Sequence, residues 1–416
     1  MKVLIVGGGI GGLAAALCLH RRGIDCALYE QSETIRELGV GINTLPHAIG
    51  VLAELGLLER LDAVGIRTGE LIYMNRFGQE ILREKRGMAA GHPVPQFSIH
   101  RGRLQGVLHE AVLERLGPGA IHTGHRLVAV EQDAGGVAAR FVGRREGGER
   151  QGSETAIRGD MLVAADGIHS AVRAGLFPDE GPPNWNGIML WRGATEWPGF
   201  LTGQSMVVAG GMAAKLVLYP ISNQAAPGHQ LMNWAIAAQL GTANTAPPRR
   251  EDWSRAGRLD DFMPFIERFT MPLLDLKALI AATPDFYEYP MCDRDPLPRW
   301  SHGRVTLLGD AAHPMYPVGS NGASQAILDA AALADCLADT ADPVAALQAY
   351  DAERRPKTAE IVRTNRLGGP ERVIDVVEER APEGFERIED VIPPDELTAI
   401  MLGYARLAGF AVAKSA

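Results

Sequence analysis

The stretch Val3–Gly12, VLIVGGGIGG, sets out a short apolar strand, a glycine turn and the opening of a helix. Gly7, Gly9 and Gly12 have the G-x-G-x-x-G spacing, which lets backbone approach a pyrophosphate while a helix N-terminus faces it. Glu30 closes the next apolar run, CALYE, where a carboxylate can take a ribose 2′-hydroxyl, and Gln31 follows it. Taken alone, the motif means a dinucleotide and leaves NAD and FAD both open. Met1-Lys2 before an apolar run has the look of a signal peptide. The glycines at 7–9, 11 and 12 break that run and no small-residue cleavage site follows, so a buried first strand is expected.

At 416 residues and 46% hydrophobic, the chain can bury a large core and is expected to form two interleaved domains. Its formal charge of −9 argues against sequence-independent nucleic-acid binding, which needs clustered Lys and Arg facing phosphates. Cys18, Cys26, Cys292 and Cys336 show neither C-x-x-C nor zinc spacing, so free thiols in a reducing, cytoplasmic setting and no metal are expected. No apolar run is long enough for a membrane span.

Helices are expected from Gly11 to about Arg22, over 45–62 and over 101–116, where Gly117-Pro118 ends the last. Strands are expected at Leu71–Tyr73, Glu80–Leu82, 125–133 and 136–142. Between 185 and 240 the runs GIMLWRGATEW, SMVVAG, AKLVLYPI and QLMNWAIAA, separated by Gly, Pro and Asn turns, predict an antiparallel sheet. Residues 251–283 look helical, and a long helix is expected from about Asn321 to Leu337. The fold class is therefore α/β: a Rossmann-like domain made of 1–70, 100–180 and 285–370, with a mostly antiparallel substrate domain (71–99 and 181–284) inserted in it. Residues 371–416 form a C-terminal helical region without an assigned role.

Two further stretches decide between the dinucleotides. MLVAADGIHSAVR (161–173) ends a strand on Asp166-Gly167, and RVTLLGDAAHPMYPVGSNG (304–322) ends one on Gly309-Asp310. A carboxylate at such a strand end can accept from a ribityl hydroxyl. The helix opening near Asn321-Gly322 presents free N–H groups where a reduced flavin carries negative charge. Together they select FAD.

The three motifs resemble those of the single-component FAD-dependent aromatic hydroxylases, the p-hydroxybenzoate hydroxylase fold, over roughly residues 1–370. Four runs narrow the resemblance to the phenazine-modifying branch, the 5-methylphenazine-1-carboxylate 1-monooxygenases: LGVGIN (38–43), FSIHRG (97–102), YPMCDRDPLP (289–298) and MYPVGSNGASQAILD (315–329). The resemblance implies that Gly9, Ile10, Gly11 and Gly12 line the pyrophosphate and that Glu30 holds the adenosine ribose. It places Arg101 on the phosphate or ribityl chain, with Gly41 and Gln105 nearby, and Leu127 beside the adenine. Asp310 takes the ribityl and pyrophosphate region, with Asp166, Gly167, Gly309 and Pro317 around it, and the backbone of Gly322, Ala323 and Ser324 takes the pyrimidine end. NADH or NADPH would reduce the flavin, O₂ would form a C4a-hydroperoxide, and an aromatic or N-heteroaromatic substrate would be hydroxylated, as a carboxylate with or without decarboxylation. No protein nucleophile is implied, so no catalytic side chain is named.

The substrate should lie between flavin and inserted sheet. Leu190 and Arg192 point to one face of their strand and Trp191 to the other. Arg192 could pair with a carboxylate, or Trp191 could stack on a ring; a solvated Arg and a core Trp are the ordinary alternatives. Tyr219, Tyr289, Met291, Met315, Tyr316 and Pro317 are further candidates for a mostly apolar wall. His313 and His100 read as structural. A halogenase is disfavoured because W-x-W-x-I-P is absent, and a Baeyer–Villiger or N-hydroxylating enzyme because a second glycine-rich motif is absent. A FAD-dependent reductase or saturase of the same fold, or a non-catalytic FAD-binding protein, stays open, as does the choice between monomer and homodimer.

Overall fold

The apolar run after Met1 becomes the central strand, Lys2–Val6, of a five-stranded sheet. The order is Val305–Leu307, Met161–Ala164, Lys2–Val6, Asp25–Tyr29, Ile121–His122, and each pairing is parallel. Val3, Leu4 and Ile5 are fully buried, as expected of a parallel strand covered on both faces. Helices Ile10–Arg21 and Gly322–Asp339 pack against each other, and Arg101–Leu116 packs on the first of them. The computed structural model describes all residues except 36, 38, 144–153, 243, 244, 250, 251, 253, 254, 410 and 412–416.

The inserted sheet has seven strands in the order Phe286–Asp293, Asn184–Pro198, His229–Gln239, Ala214–Ser222, Ser205–Gly210, Glu70–Asn75, Glu80–Lys85. All pairs are antiparallel except Ser205–Gly210 with Glu70–Asn75. Strand alternation gives it two different faces. One carries Met189, Trp191, Leu216, Leu218 and Trp234, buried against Phe262 and Leu279. The other carries Leu71, Tyr73, Met206, Val208 and Tyr219, partly covered by Val373, Ile374, Val377 and Met401 of the C-terminal helices Arg372–Arg380 and Pro394–Leu407.

Several expectations need correction. The helix expected over 45–62 is two, Pro46–Glu54 and Leu58–Val64, because Gly56 turns the chain with φ +69°. Of the run 251–283, the described residues give only two short helices, Met263–Ile266 and Leu276–Ala281, and a 3₁₀ turn at Leu259–Asp261. Pro264 fits only the first turn of Met263–Ile266, and Pro272 between the two helices prevents one from running through. Phe286–Asp293, read as part of the cofactor domain, is an edge strand of the seven-stranded sheet, in register with Asn184–Pro198 through Leu190↔Tyr289. Phe97–His100, read as substrate domain, pairs instead with Gly41–Thr44 and Gly65–Arg67. Among the described residues, no helix is long and apolar enough to cross a membrane.

Candidate active site

Three glycines of the first turn do three different things. Gly7 has φ +108°, and a Cβ there would lie 2.3 Å from the carbonyl oxygen of Ala165, so the turn closes only without a side chain. A Cβ on Gly12 would lie 1.9 Å from the Gly7 carbonyl oxygen, so this glycine sets how closely helix and strand pack. At Gly9 no atom beyond its own chain neighbours lies within 4 Å of that point. The second glycine therefore faces open space at the N-terminus of Ile10–Arg21, which no side chain caps. Beside this opening Glu30 accepts from the backbone N–H of Gly8 and of Ser32, each at 2.7 Å. Gln105 donates to the Gly8 carbonyl at 2.8 Å. Gln31 is exposed, and Leu127 is buried on strand His125–Asp133.

The two strand-end carboxylates follow neighbouring strands, Met161–Ala164 and Val305–Leu307, which pair in parallel. One oxygen of Asp166 accepts from Ala171 N at 2.8 Å, at the start of the helix Ala171–Leu176 that Ser170 caps, while its Oδ1 is buried with no hydrogen-bond partner. Gly167, at φ +80°, opens onto empty space. Asp310 keeps an exposed side-chain surface, yet enough protein surrounds it that burial pushes its carboxyl up, against the pull of His313 and Arg101. Open surface combined with desolvation describes the wall of a deep cleft. Across it, burial pushes the Arg101 guanidinium down, and Asp310 and Tyr289 pull it back up. Arg173 ties the two motifs together, donating to the carbonyls of Ala311 at 3.1 Å and Ala312 at 2.9 Å while gripping Glu180. An open glycine turn at a helix N-terminus, an unsatisfied buried carboxylate oxygen and a cation facing Asp310 fit an FAD.

Helix Gly322–Asp339 also starts uncapped by a side chain. Gly322 and Ala323 are half-buried, whereas the Ser324 hydroxyl is turned inward and accepts from Leu45 N at 3.0 Å. Behind this terminus lies a polar network that sequence reasoning missed. His313 Nε2 meets Asp329 at 2.5 Å, Arg354 Nε donates to Asp329 at 2.8 Å, and Arg354 also donates to Gln325 at 2.7 Å. Gly309 N donates to the same Asp329 at 3.2 Å, so this carboxylate fixes the strand end that presents Asp310. Burial raises Asp329, but His313 and Arg354 outweigh it and hold the carboxyl below its usual range. Gln325 and Asp329, four apart on an alanine-rich helix, were the available signal.

The sheet face toward the cleft carries Arg192, Tyr219, Tyr289 and Met291, each less than a tenth exposed. Burial, with repulsion from Arg101, pushes the Arg192 guanidinium down, and Tyr219 and Tyr289 counter this. Arg192 and Arg101 thus lie near one another, between sheet and cofactor cleft. Gly41 sits against this face: its N–H donates to Asn233 at 2.8 Å, and a Cβ would lie 2.7 Å from Tyr219. Asn233 is another residue the sequence did not single out. Met315 is half-buried, Tyr316 buried and Pro317 exposed on the loop that leads to Gly322. Trp191 is not brought to the cleft. It points to the opposite face, fully buried and stacked on Phe262 at 5.4 Å between ring centroids, and serves the core. Among the described residues no group of three or more His, Cys, Asp or Glu could hold a metal ion.

The FAD binding domain family matches residues 1–183 and 292–365. A phenazine 1,6-dicarboxylic acid hydroxylase of Lysobacter antibioticus is 46% identical over 367 residues, covering 88% of this chain and 89% of its own. A 3-hydroxybenzoate 6-hydroxylase of Aquipseudomonas alcaligenes is 33% identical, with 86% of each chain covered. The crystal structure of Klebsiella pneumoniae HpxO complexed with FAD and uric acid superposes with a TM-score of 0.71 at 25% identity, over 98% of this chain and 93% of that one.

Proposed function

Because the chain belongs to the FAD-dependent aromatic hydroxylases, we propose that it hydroxylates a fused N-heteroaromatic carboxylate of the phenazine type, with NADH or NADPH as reductant and O₂ as oxygen source. The observation that carries the substrate class is Arg192, a cation with 7% of its surface exposed on the cleft side of the sheet. A guanidinium offers a planar fork of donors that matches a carboxylate in charge and geometry. An aromatic carboxylate seated between sheet and flavin would meet that fork, and Tyr219 and Tyr289 give its rings an apolar, edge-polar wall. The phenazine dicarboxylate relative supports the same choice.

Bound FAD supplies the redox and oxygen-transfer chemistry. The residues proposed to hold it are Gly9–Gly12 and Glu30 on the adenosine side, Asp166, Asp310 and Arg101 along its middle, and the N-terminus of Gly322–Asp339 at the flavin. That helix terminus favours negative charge on the ring. Arg192 orients the substrate, and the packed sheet excludes water from the ring being attacked. The four free cysteines, three of them buried, fit a cytoplasmic enzyme, acting as a monomer or homodimer.

The test is oxidation of NADH or NADPH stimulated by phenazine carboxylates, with one ¹⁸O from ¹⁸O₂ in the product. Label-free product would point to a reductase of the same fold. Arg192→Ala should retain FAD and raise KM for a carboxylate substrate about ten- to a hundredfold, the magnitude of a lost charge-assisted pair. Kinetics within twofold of the parent would remove Arg192 from the substrate site, and loss of flavin would reassign it to the cofactor.

A further inference from the structure

The loop Tyr316–Asn321 is held in place from behind by the C-terminal helix. Gly319 and Ser320 both have left-handed backbone, with φ +68° and +57°, and for a serine this is a strained state that its surroundings must enforce. Against this turn lies the hydroxyl of Tyr404. It accepts from Asn321 Nδ2 at 2.8 Å and lies 2.9 Å from Asn365 Oδ1, to which it donates, with the Val318 carbonyl at 3.2 Å as a second acceptor. Asn365 in turn donates to the Tyr316 carbonyl at 3.0 Å. Asn321, Asn365 and Tyr404 are all nearly inaccessible to solvent. The ring fits under Gly319 because that residue has no Cβ, which would lie 2.3 Å from the hydroxyl oxygen.

We propose that Tyr404 is a positioning residue of the flavin site: from the C-terminal helix it locks the Tyr316–Asn321 loop so that the N-terminus of Gly322–Asp339 is preorganised for FAD. The matched FAD binding domain ends at residue 365, so Tyr404 reaches the loop from outside it. The proposal rests on the reading that this helix terminus and Asp310 face the cofactor. With the lock in place, the strained loop is set before FAD arrives. Without it, binding must also order the loop, and apparent affinity falls by the fraction of molecules that are competent. Tyr404 touches neither the cleft carboxylates nor Arg192 among the contacts described, so its effect runs through the loop.

Tyr404→Phe and Asn365→Ala each break the lock from a different side. In the full chain freed of FAD, each should leave the far-ultraviolet dichroism intact and speed amide exchange over 316–322. Each should raise the FAD dissociation constant about tenfold, with the double variant no worse than about twofold beyond either single one. Leu402→Ala, on the exposed side of the same helix, should match the parent. Asp310→Ala separates the two ideas: if it loses FAD while Tyr404→Phe binds within twofold of the parent, the lock is overturned and the site stands. If both retain FAD, the site itself is misplaced. Failure of both lock variants to fold would also overturn the proposal, by making the cluster ordinary core.

Discussion

Gly9 and Gly12 are three residues apart and chemically identical, yet the structure gives them opposite responses to one added methyl group. Gly9 has φ −75° and ψ −178°, which alanine adopts freely, and open space where its Cβ would go. Gly9→Ala should therefore leave the thermal midpoint of the apoprotein unchanged while FAD retention falls sharply, since the methyl group would occupy the path proposed for the pyrophosphate. Gly12→Ala should unfold or strongly destabilise the apoprotein, because the nearest atom is backbone that cannot step aside. Melting the two apoproteins side by side checks this; equal loss of stability in both would show that Gly9 is structural. Spacing alone identified both residues. It could not divide them, because the division depends on Ala165 and the Gly7 carbonyl, which lie across the turn.

At the scale of elements, what the sequence discloses depends on what covers each one. Arg101–Leu116 and Lys2–Val6 were legible because their apolar residues repeat with the period of the element and each meets one continuous core. Phe286–Asp293 was not, because a strand carrying Pro290 at a sheet edge has no period-two pattern until its neighbour is known. The helix Pro46–Glu54 was legible only as part of a longer one, and its most informative residue, His47, looked ordinary. Burial, assisted by Arg354 and His92, pushes His47 from the usual 6.5 down to about 4. The unfolded chain then takes up this proton near pH 6.5 while the folded chain resists it until about 4. Stability is thus fully present above 6.5 and is lost as pH falls toward 4. His92, His100, His122 and His302 are lowered too, each chiefly by burial, and act with the same sign. The thermal midpoint of the apoprotein should decline steadily from pH 7 to pH 5, and His47→Gln should flatten part of that slope. A midpoint constant over this range would contradict the burial argument.

For the molecule as a whole, the open question in the sequence was the role of residues 371–416. These residues have strongly amphipathic helices but no motif, so composition could say that they bury one face without saying against what. The structure answers with one of its hydrophobic clusters: Val373, Ile374 and Val377, none with exposed surface, lie against Leu71, Tyr73, Met206, Val208 and Ile221 of the seven-stranded sheet. The sheet face that bears the candidate substrate residues is therefore half wall and half core, and the C-terminal region makes the core half. Removing it would uncover a contiguous apolar patch, of the kind that drives association. Ile374→Ala should cost about 2–5 kcal/mol in denaturant unfolding, as expected for emptying a packed site. A chain ending at residue 370 should bind a hydrophobic dye and aggregate on expression. The same truncation removes Tyr404, so any soluble fraction should also hold FAD poorly. Should the truncated chain stay monodisperse with the parent's thermal midpoint and flavin content, the C-terminal helices would be an appendage, and the sheet would have to be stable with one face bare.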